Sequence, residues 1–305
     1  MTKRILVVVH ATQTRLGHLN WVAFRDLLRA QMGHQTEVEM SALGQLSFVL
    51  EGSNARVYDA AQGYDLADFD LVVFRTIAKR TEEAIAAAAY CRAKGVQYID
   101  KYIPAIGNAK LSCAFVRHEH GLSVPPTAYG PADELMQIAG QGDFSFPVVL
   151  KDDAGKKGRN NYLIQSQDEL RATLEAQPEI RFVIQRFIPN NGDYRVLVFN
   201  GRPRMVILRK AASDETHLNN TSQGGTAVEV PLSEAPKELH NLAAKAADIE
   251  RLAIAGVDIV TEKNTNKQYI LEVNRAPQIA TGAFAEAKTA HYAQALQEHI
   301  TEKEA

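Results

Sequence analysis

Residues 5–9, Ile-Leu-Val-Val-Val, form an unbroken aliphatic run with no polar residue alternating through it. A strand of this kind, Arg4–Val9, is buried on both faces, as in a parallel sheet flanked by helices. The next segments keep that alternation. His10–His18 reads as a polar loop, Leu19–Met32 carries apolar residues at helical spacing, and Gly33 supplies a stop. Val38–Met40 begins a short strand, and Phe69–Phe74 is a second apolar run. Thr81 caps an alanine-rich helix with Glu82 and Glu83 in its first turn, Gly95 ends it, and Val96–Ile99 is a further strand. The pattern predicts a doubly wound α/β unit over residues 1–104. Residues 44–63 carry no clear periodicity; a loop is one reading, and whether it is a substrate loop or a structural one is left open. Ligands of such sheets sit beyond the carboxyl ends of the strands. That makes His18 and Arg75 candidate substrate contacts, although Arg75 could equally cap the neighbouring helix.

Composition bounds the rest. The chain has 305 residues, 34 Lys+Arg against 36 Asp+Glu and a net charge of -2, with 46% hydrophobic and 23% charged residues. This is a globular balance, long enough for two domains or three small ones without a metal or disulfide staple. Near-neutral charge argues against coating nucleic acid or an anionic membrane. The N-terminal apolar run is too short for a signal segment or a span. Two cysteines, Cys91 and Cys113, make no disulfide framework, so a reduced, cytoplasmic setting is expected.

Beyond a linker at residues 102–104, Asn108–His120 reads as a helix and Phe146–Lys151 as a strand. That strand enters a basic glycine loop holding Gly155, Lys156, Lys157, Gly158 and Arg159. Tyr162–Ile164 leaves it. Asp168–Gln177 is a helix, Arg181–Ile188 a strand, and Tyr194–Phe199 with Arg204–Leu208 a hairpin turned by Asn200-Gly201. Lys237–Ala255 is a long helix, Val257–Thr261 and Tyr269–Val273 are strands, and Ala285–His299 is a closing helix. A unit over 105–185 and another over 186–305 follow.

Three constellations stand out. The glycine loop lets backbone approach a phosphate beside basic side chains; it fits neither the Walker A nor the Rossmann pattern, and an exposed hairpin is its plainer reading. Glu272 and Asn274 project to one face of a strand, and Asp258 lies on the strand before it. Three oxygen ligands on neighbouring strands suit Mg²⁺, with a solvated strand face as the competing reading. Zinc is not suggested, since His118 and His120 would diverge on a helix. Arg209 and Lys210 follow an apolar strand and precede Asn219, Asn220 and Gly224-Gly225, a potential close-approaching loop.

In this order the motifs resemble the ATP-grasp superfamily, most closely its RimK-type and glutathione-synthetase-type carboxylate–amine ligases, densely from 108 to 282. The resemblance implies an ATP-grasp fold of α/β and α+β parts, with a doubly wound N-terminal pre-ATP-grasp domain (1–104), a lid (105–185) and a C-terminal domain (186–305). It implies ATP and two Mg²⁺ ions, with Mn²⁺ as an acceptable substitute. Lys110 and Lys151 match the phosphate-contacting lysines, Gly155 and Gly158 the loop closing over the triphosphate, and Gln185, Arg186, Phe187 and Ile188 the adenine hinge. Asp193, within Asp-Tyr-Arg195, lies near the nucleotide, as do Asn219 and Asn220. Asp258, Glu272 and Asn274 match the metal ligands. Arg209, assisted by Lys210, would stabilise the transferred phosphoryl.

The sequence also departs from that pattern. Arg186 replaces the hinge Glu, Leu218-Asn219-Asn220 and Ser222-Gln223 replace segments that carry two further positive charges, and Arg275-Ala-Pro277-Gln278 replaces a small-residue turn, making Arg275 a substrate candidate. The implied reaction joins a carboxylate and an amine, from small molecules or a peptide or protein tail, through an acyl-phosphate. Rival readings are a regulatory ATP binder of the same fold and a ligase with a thiol or hydroxyl acceptor. A nucleic-acid or membrane partner is not expected; a homo-oligomer is left open.

Overall fold

The computed structural model describes residues 2–10, 15–52, 54–77, 80–100, 109–155, 158–211 and 224–301, with the side chains of 15–20 set apart. The N-terminal unit is built from β1 (Lys3–Val9), α1 (Arg15–Met32), β2 (Thr36–Ala42), β3 (Leu46–Glu51), β4 (Asn54–Asp59), β5 (Tyr64–Asp65), β6 (Leu71–Phe74), α2 (Thr81–Lys94) and β7 (Gln97–Ile99). Its main sheet runs β2-β1-β6-β7, all parallel. Ile5 and Val7 face Phe24 and Leu28 of α1, whereas Leu6 and Val8 share a cluster with Ala84, Ala87 and Ala88 of α2. Both strand faces are therefore buried, which is why the run at residues 5–9 lacks polar alternation.

Residues 44–63 are not loop. β3, β4 and β5 form a small antiparallel sheet closed around the buried, accepting carboxylate of Asp59. Ser41 Oγ donates to it at 2.6 Å, as do the backbone N–H groups of Ala61 and Gln62. Exposed Phe48 and Leu50 break the expected alternation, so periodicity hid these strands.

The second unit comprises α3 (Lys110–Glu119), β8 (Thr127–Tyr129), α4 (Ala132–Ile138), β9 (Val148–Asp152), β10 (Asn161–Ile164), α5 (Gln167–Glu175) and β11 (Phe182–Arg186). Its antiparallel sheet runs β10-β9-β11-β8. One face, through Val148, Leu150, Phe182 and Ile184, packs on Leu135, Leu170 and Leu174 in a core of its own. The other face carries Lys151 and Gln185 by strand alternation. The expected boundary at 185 falls one residue short of the end of β11, and that at 104 lies outside the described residues.

The third unit holds β12 (Asp193–Phe199), β13 (Arg202–Lys210), β14 (Thr226–Val230), α6 (Lys237–Ile249), β15 (Ile254–Thr261), β16 (Gln268–Asn274) and α7 (Ala285–Thr301). Its sheet, β14-β13-β12-β15-β16, is antiparallel throughout. Asn200 and Gly201 have φ of 51° and 72°, the turn geometry the dipeptide predicts. α6 is shorter than the expected 237–255 helix. Arg251 turns out of it at φ 55°, and Ile254 already begins β15. The apolar residues 252–255 suit either element, so periodicity cannot place that boundary.

α6 covers one sheet face through Leu239, Ala243 and Ala247. On the other face, Leu197, Phe199 and Ile207 meet α7 and the first unit. Tyr292 of α7 links them, its ring 5.8 Å from Phe24 and 6.0 Å from Phe199. Among the described residues no helix is long and apolar enough to cross a membrane.

Arg117 of α3 and Glu250, after α6, form a bidentate pair at 2.9 and 2.6 Å with side-chain exposures of 6% and 1%. Arg275 adds a longer contact to Glu250 at 3.4 Å. Removing one partner strands a buried charge. Arg117→Ala is expected to destabilise the protein by about 3 kcal/mol in urea unfolding; a loss below about 1 kcal/mol would show that Arg275 alone satisfies Glu250.

Candidate active site

The β12 strand changes character along one face. Leu197 and Phe199 are core, whereas Arg195 and Asp193, two and four residues earlier, are charged. Register carries that change across the sheet. Asp193 faces Arg209 on β13, Arg195 faces Asp258 on β15, and Asp258 faces Glu272 on β16. Arg195 Nε and Nη2 donate to the two Asp258 oxygens at 2.8 and 2.7 Å. Arg209 is 4% exposed. Its Nη2 lies 3.0 Å from Asp258 Oδ2, and Nε and Nη2 both donate to Asp193. Asn274 Nδ2 completes the set at 3.3 Å from Asp258 Oδ2.

Burial opposes every charge in this row. For Asp258 it is outweighed by Arg195 and Arg209, which hold the carboxyl below the usual range. For Asp193 burial wins, helped by the Asp258 charge, and its carboxyl is raised despite Arg209. Glu272 is exposed, and no hydrogen bond or ion pair to it is formed among the described residues. Crowding by the protein and the Asp258 charge raise its carboxyl, while Arg195, Lys110 and Lys151 pull the other way. Gly256 pairs with Asn274, and a Cβ on it would lie 2.8 Å from that of Pro277. Glycine there lets the segment after β16 pass close over the sheet.

The lid sheet supplies the opposing wall. Lys151 Nζ donates to Gln185 Oε1 at 2.7 Å, and Gln185 Nε2 donates to Thr127 Oγ1 at 2.8 Å. Burial lowers the Lys151 ammonium to about 8, with Glu272 opposing that shift. Lys110, at the start of α3, donates through Nζ to the carbonyls of Asp152 at 2.6 Å and Gly155 at 2.7 Å. It staples the near end of the glycine loop, and its ammonium too is lowered by burial against the pull of Glu272. Glu272 and the two lysines thus act on one another electrostatically, each favouring the charged form of the other. Gly155 packs where a Cβ would meet Asp152, and Gly158 has φ +74°.

Other expected positions separate from this cluster. Lys210, next to Arg209, is exposed and leaves the strand on the opposite face. Arg186 points away from the cleft wall: Nη2 donates to Glu262 at 2.9 Å and Tyr269 at 2.7 Å, tying lid to C-terminal sheet. Its backbone N–H is taken by Pro126 at 3.0 Å. Phe187 is half-buried, and Ile188 packs on Val260 and Tyr269. Arg275 sits on Glu250 in a buried structural cluster. Arg75 is 8% exposed, donates to the Pro277 carbonyl and lies over the Tyr292 ring, so it joins the first unit to the third. Neither placement leaves the guanidinium in open cleft. Asn219 and Asn220 lie outside the described residues, as does the side chain of His18.

Arg195 is the residue that sequence reasoning left out. Its signal was present: an i, i+2 pair with Asp193 puts both on one strand face.

Asp258, Glu272 and Asn274 offer three hard oxygens on adjacent strands, and Glu272 and Asn274 are not covered by arginine. That donor set fits Mg²⁺. Among the described residues no group of three or more His, Cys, Asp or Glu that could hold a metal is found.

The RimK-like ATP-grasp domain family matches residues 107–296. A probable alpha-L-glutamate ligase of Cellvibrio japonicus is 29% identical over 257 residues, covering 81% of this chain and 80% of its own. A protein of the same description from Trichodesmium erythraeum is 26% identical, covering 87% and 89%. Among solved structures, the ATP-grasp ligase PsnB complexed with minimal precursor, Mg and ADP superposes with a TM-score of 0.72 at 16% identity, over 97% of this chain and 98% of that one. The D-alanine–D-alanine ligase of Bacillus anthracis gives 0.65 at 16% identity, over 98% and 96%. These likenesses show a shared ATP-grasp fold, and the match over 107–296 is decisive for descent: the chain belongs to the RimK-like ATP-grasp family.

Proposed function

We propose that the cleft between the lid sheet and the charged row binds ATP and drives an ADP-forming carboxylate–amine ligation through an acyl-phosphate. The observation that carries this is the pairing of two half-buried lysines on one wall with Arg209, Arg195, Asp258, Glu272 and Asn274 on the other. The names of the relatives, alpha-L-glutamate ligases, support an amino acid among the substrates, joined to a peptide or second amino acid.

The physical problem is repulsion. ATP carries about four negative charges, and its γ-phosphoryl must meet a carboxylate in a site where charges are poorly screened. Lys151 and Lys110 hold the phosphates from the lid side, and the glycine loop, stapled by Lys110, excludes water. Readout of adenine falls to the hinge backbone beyond Arg186, since the Arg186 N–H is already bonded. Asp258, Glu272 and Asn274 would hold Mg²⁺, which supplies charge neutralisation on the phosphates. Arg209, fixed by two carboxylates, stabilises the phosphoryl as it leaves ADP for the acid oxygen. The amine then attacks the acyl carbon, phosphate departs with the former acid oxygen, and the amine gives up a proton. Lys210 has no place in this scheme, because it projects from the other side of the sheet.

ADP release against pooled amino acids and dipeptides, with mass spectrometry of positive pools, tests the reading. A product lighter by one water than its two substrates is expected. ATP binding without ADP from any pool or from cell extract would contradict it and favour a silent nucleotide binder.

Two substitutions probe the roles. Glu272→Gln removes the open carboxylate and is expected to abolish ADP release while the melting temperature stays near wild type; near-normal turnover would remove the metal assignment. Arg209→Ala is expected to cut turnover by about a hundredfold or more with ADP affinity within about threefold. A loss confined to affinity would take Arg209 out of the chemistry.

A further inference from the structure

β8 is the outermost strand of the lid sheet, beside β11, and among the described residues no strand pairs with its other edge. Register fixes what that edge presents. The Arg186 N–H donates to the Pro126 carbonyl at 3.0 Å, and the pairs that follow are Gln185 with Thr127, Ile184 with Ala128 and Val183 with Tyr129. In an antiparallel ladder every second pair is hydrogen-bonded. Counting from Pro126, Ala128 spends its N–H and C=O on β11, whereas Thr127 and Tyr129 turn theirs outward, two residues apart.

A groove of about 500 Å³ runs along this strand, lined by Leu111, Ser112 and Phe115 of α3 and by Thr127, Ala128 and Tyr129. Leu111 and Phe115 stand one helical turn apart, while Ala114 and Arg117 hold the buried side of α3. Strand alternation puts the Thr127 and Tyr129 side chains on one face and Ala128 against the lid core. Phe115 is 64% and Tyr129 38% exposed, so the groove has two open aromatic walls. Outward main-chain groups beside an apolar groove are the chemistry that takes an extended peptide: the main chain gives affinity and the groove receives alternate side chains. Three residues make too short an edge to join the sheets of two copies. The groove is also continuous with the lysine wall of the candidate site. Leu111 follows Lys110, and Thr127 Oγ1 accepts from Gln185, which in turn accepts from Lys151 Nζ.

We propose that the groove between α3 and β8 docks an extended segment of the peptide substrate, which adds to the lid sheet as an antiparallel strand and seats apolar side chains, at every second residue, between Phe115 and Tyr129. The proposal rests on the ligase reading for the purpose of docking and not for the docking itself. In this geometry the peptide residues that bond to Thr127 and Tyr129 are the same ones whose side chains enter the groove.

The test is equilibrium binding to the full chain with Mg²⁺ and a non-hydrolysable ATP analogue, which needs no turnover. The probe is a heptapeptide blocked at both ends, Lys-Val-Thr-Val-Thr-Val-Lys. N-methylation of its valines removes the N–H groups that face β8, and N-methylation of its threonines removes those that face away. The first is expected to weaken binding about tenfold or more and the second less than about threefold. Phe115→Ser is expected to weaken the parent peptide about fivefold or more, with melting temperature and affinity for the ATP analogue unchanged. Amide exchange at Thr127 and Tyr129 should slow when the peptide binds, while Ala128 changes little. No binding at millimolar peptide, equal loss from both methylations, or binding intact in Phe115→Ser would overturn the proposal. Protection of the Thr127 and Tyr129 amides that rises with protein concentration in the absence of peptide would overturn it in favour of a second copy on this edge. Docking as expected, with ADP formed from no pool, would leave the groove standing and remove the ligase reading. Ligation with a peptide preference that ignores valine methylation would do the reverse.

Discussion

The charged row of the third unit depends on Asp258 being held between two arginines. Its carboxylate is buried, and burial alone would neutralise it. Arg195 grips both oxygens from the adjacent strand, and Arg209 closes on it from one strand further, sharing Asp193. Three antiparallel strands in fixed register are needed to bring these groups together, and a one-residue slip would send each side chain to the wrong face. The hydrophobic ends of the same strands, Leu197, Phe199 and Ile207 against α7, fix that register. Core packing and active-site charge are thus two ends of one sheet face.

This coupling explains the division of labour between the units. The lid has a separate core and meets the C-terminal sheet through polar ties such as Arg186 to Glu262 and Tyr269. The first and third units instead share buried clusters, with Tyr292 against Phe24 and Phe199. The buried pair of Arg117 with Glu250 anchors the second unit to the third as well, so its attachment is polar and not loose. The third unit carries Arg195, Arg209 and Asp258, and the second carries Lys151 and Gly155.

Much of this was legible in the sequence because strong local signals coincided with the fold. The aliphatic run at 5–9, Asn200-Gly201, and Glu272 with Asn274 at i, i+2 each encode one geometry. The hidden parts are those where local pattern and tertiary demand differ. β3 exposes Phe48 and Leu50, so alternation fails. Residues 252–255 suit helix and strand alike. Arg75 and Arg275 look like free pocket cations in sequence, but the fold spends them on Pro277 and Glu250. Lys210 looks equivalent to Arg209, yet strand alternation separates them.

The central claim is that the charged row serves acyl-phosphate formation, and isotope transfer addresses it directly. With the substrate acid labelled with ¹⁸O in its reacting carboxylate, single-turnover phosphate is analysed by mass. The account predicts one ¹⁸O in each phosphate released, because the acid oxygen that attacks the γ-phosphorus leaves with it. Unlabelled phosphate, or label appearing in AMP, would contradict phosphoryl transfer to the carboxylate and with it the role assigned to Arg209 and its carboxylate partners.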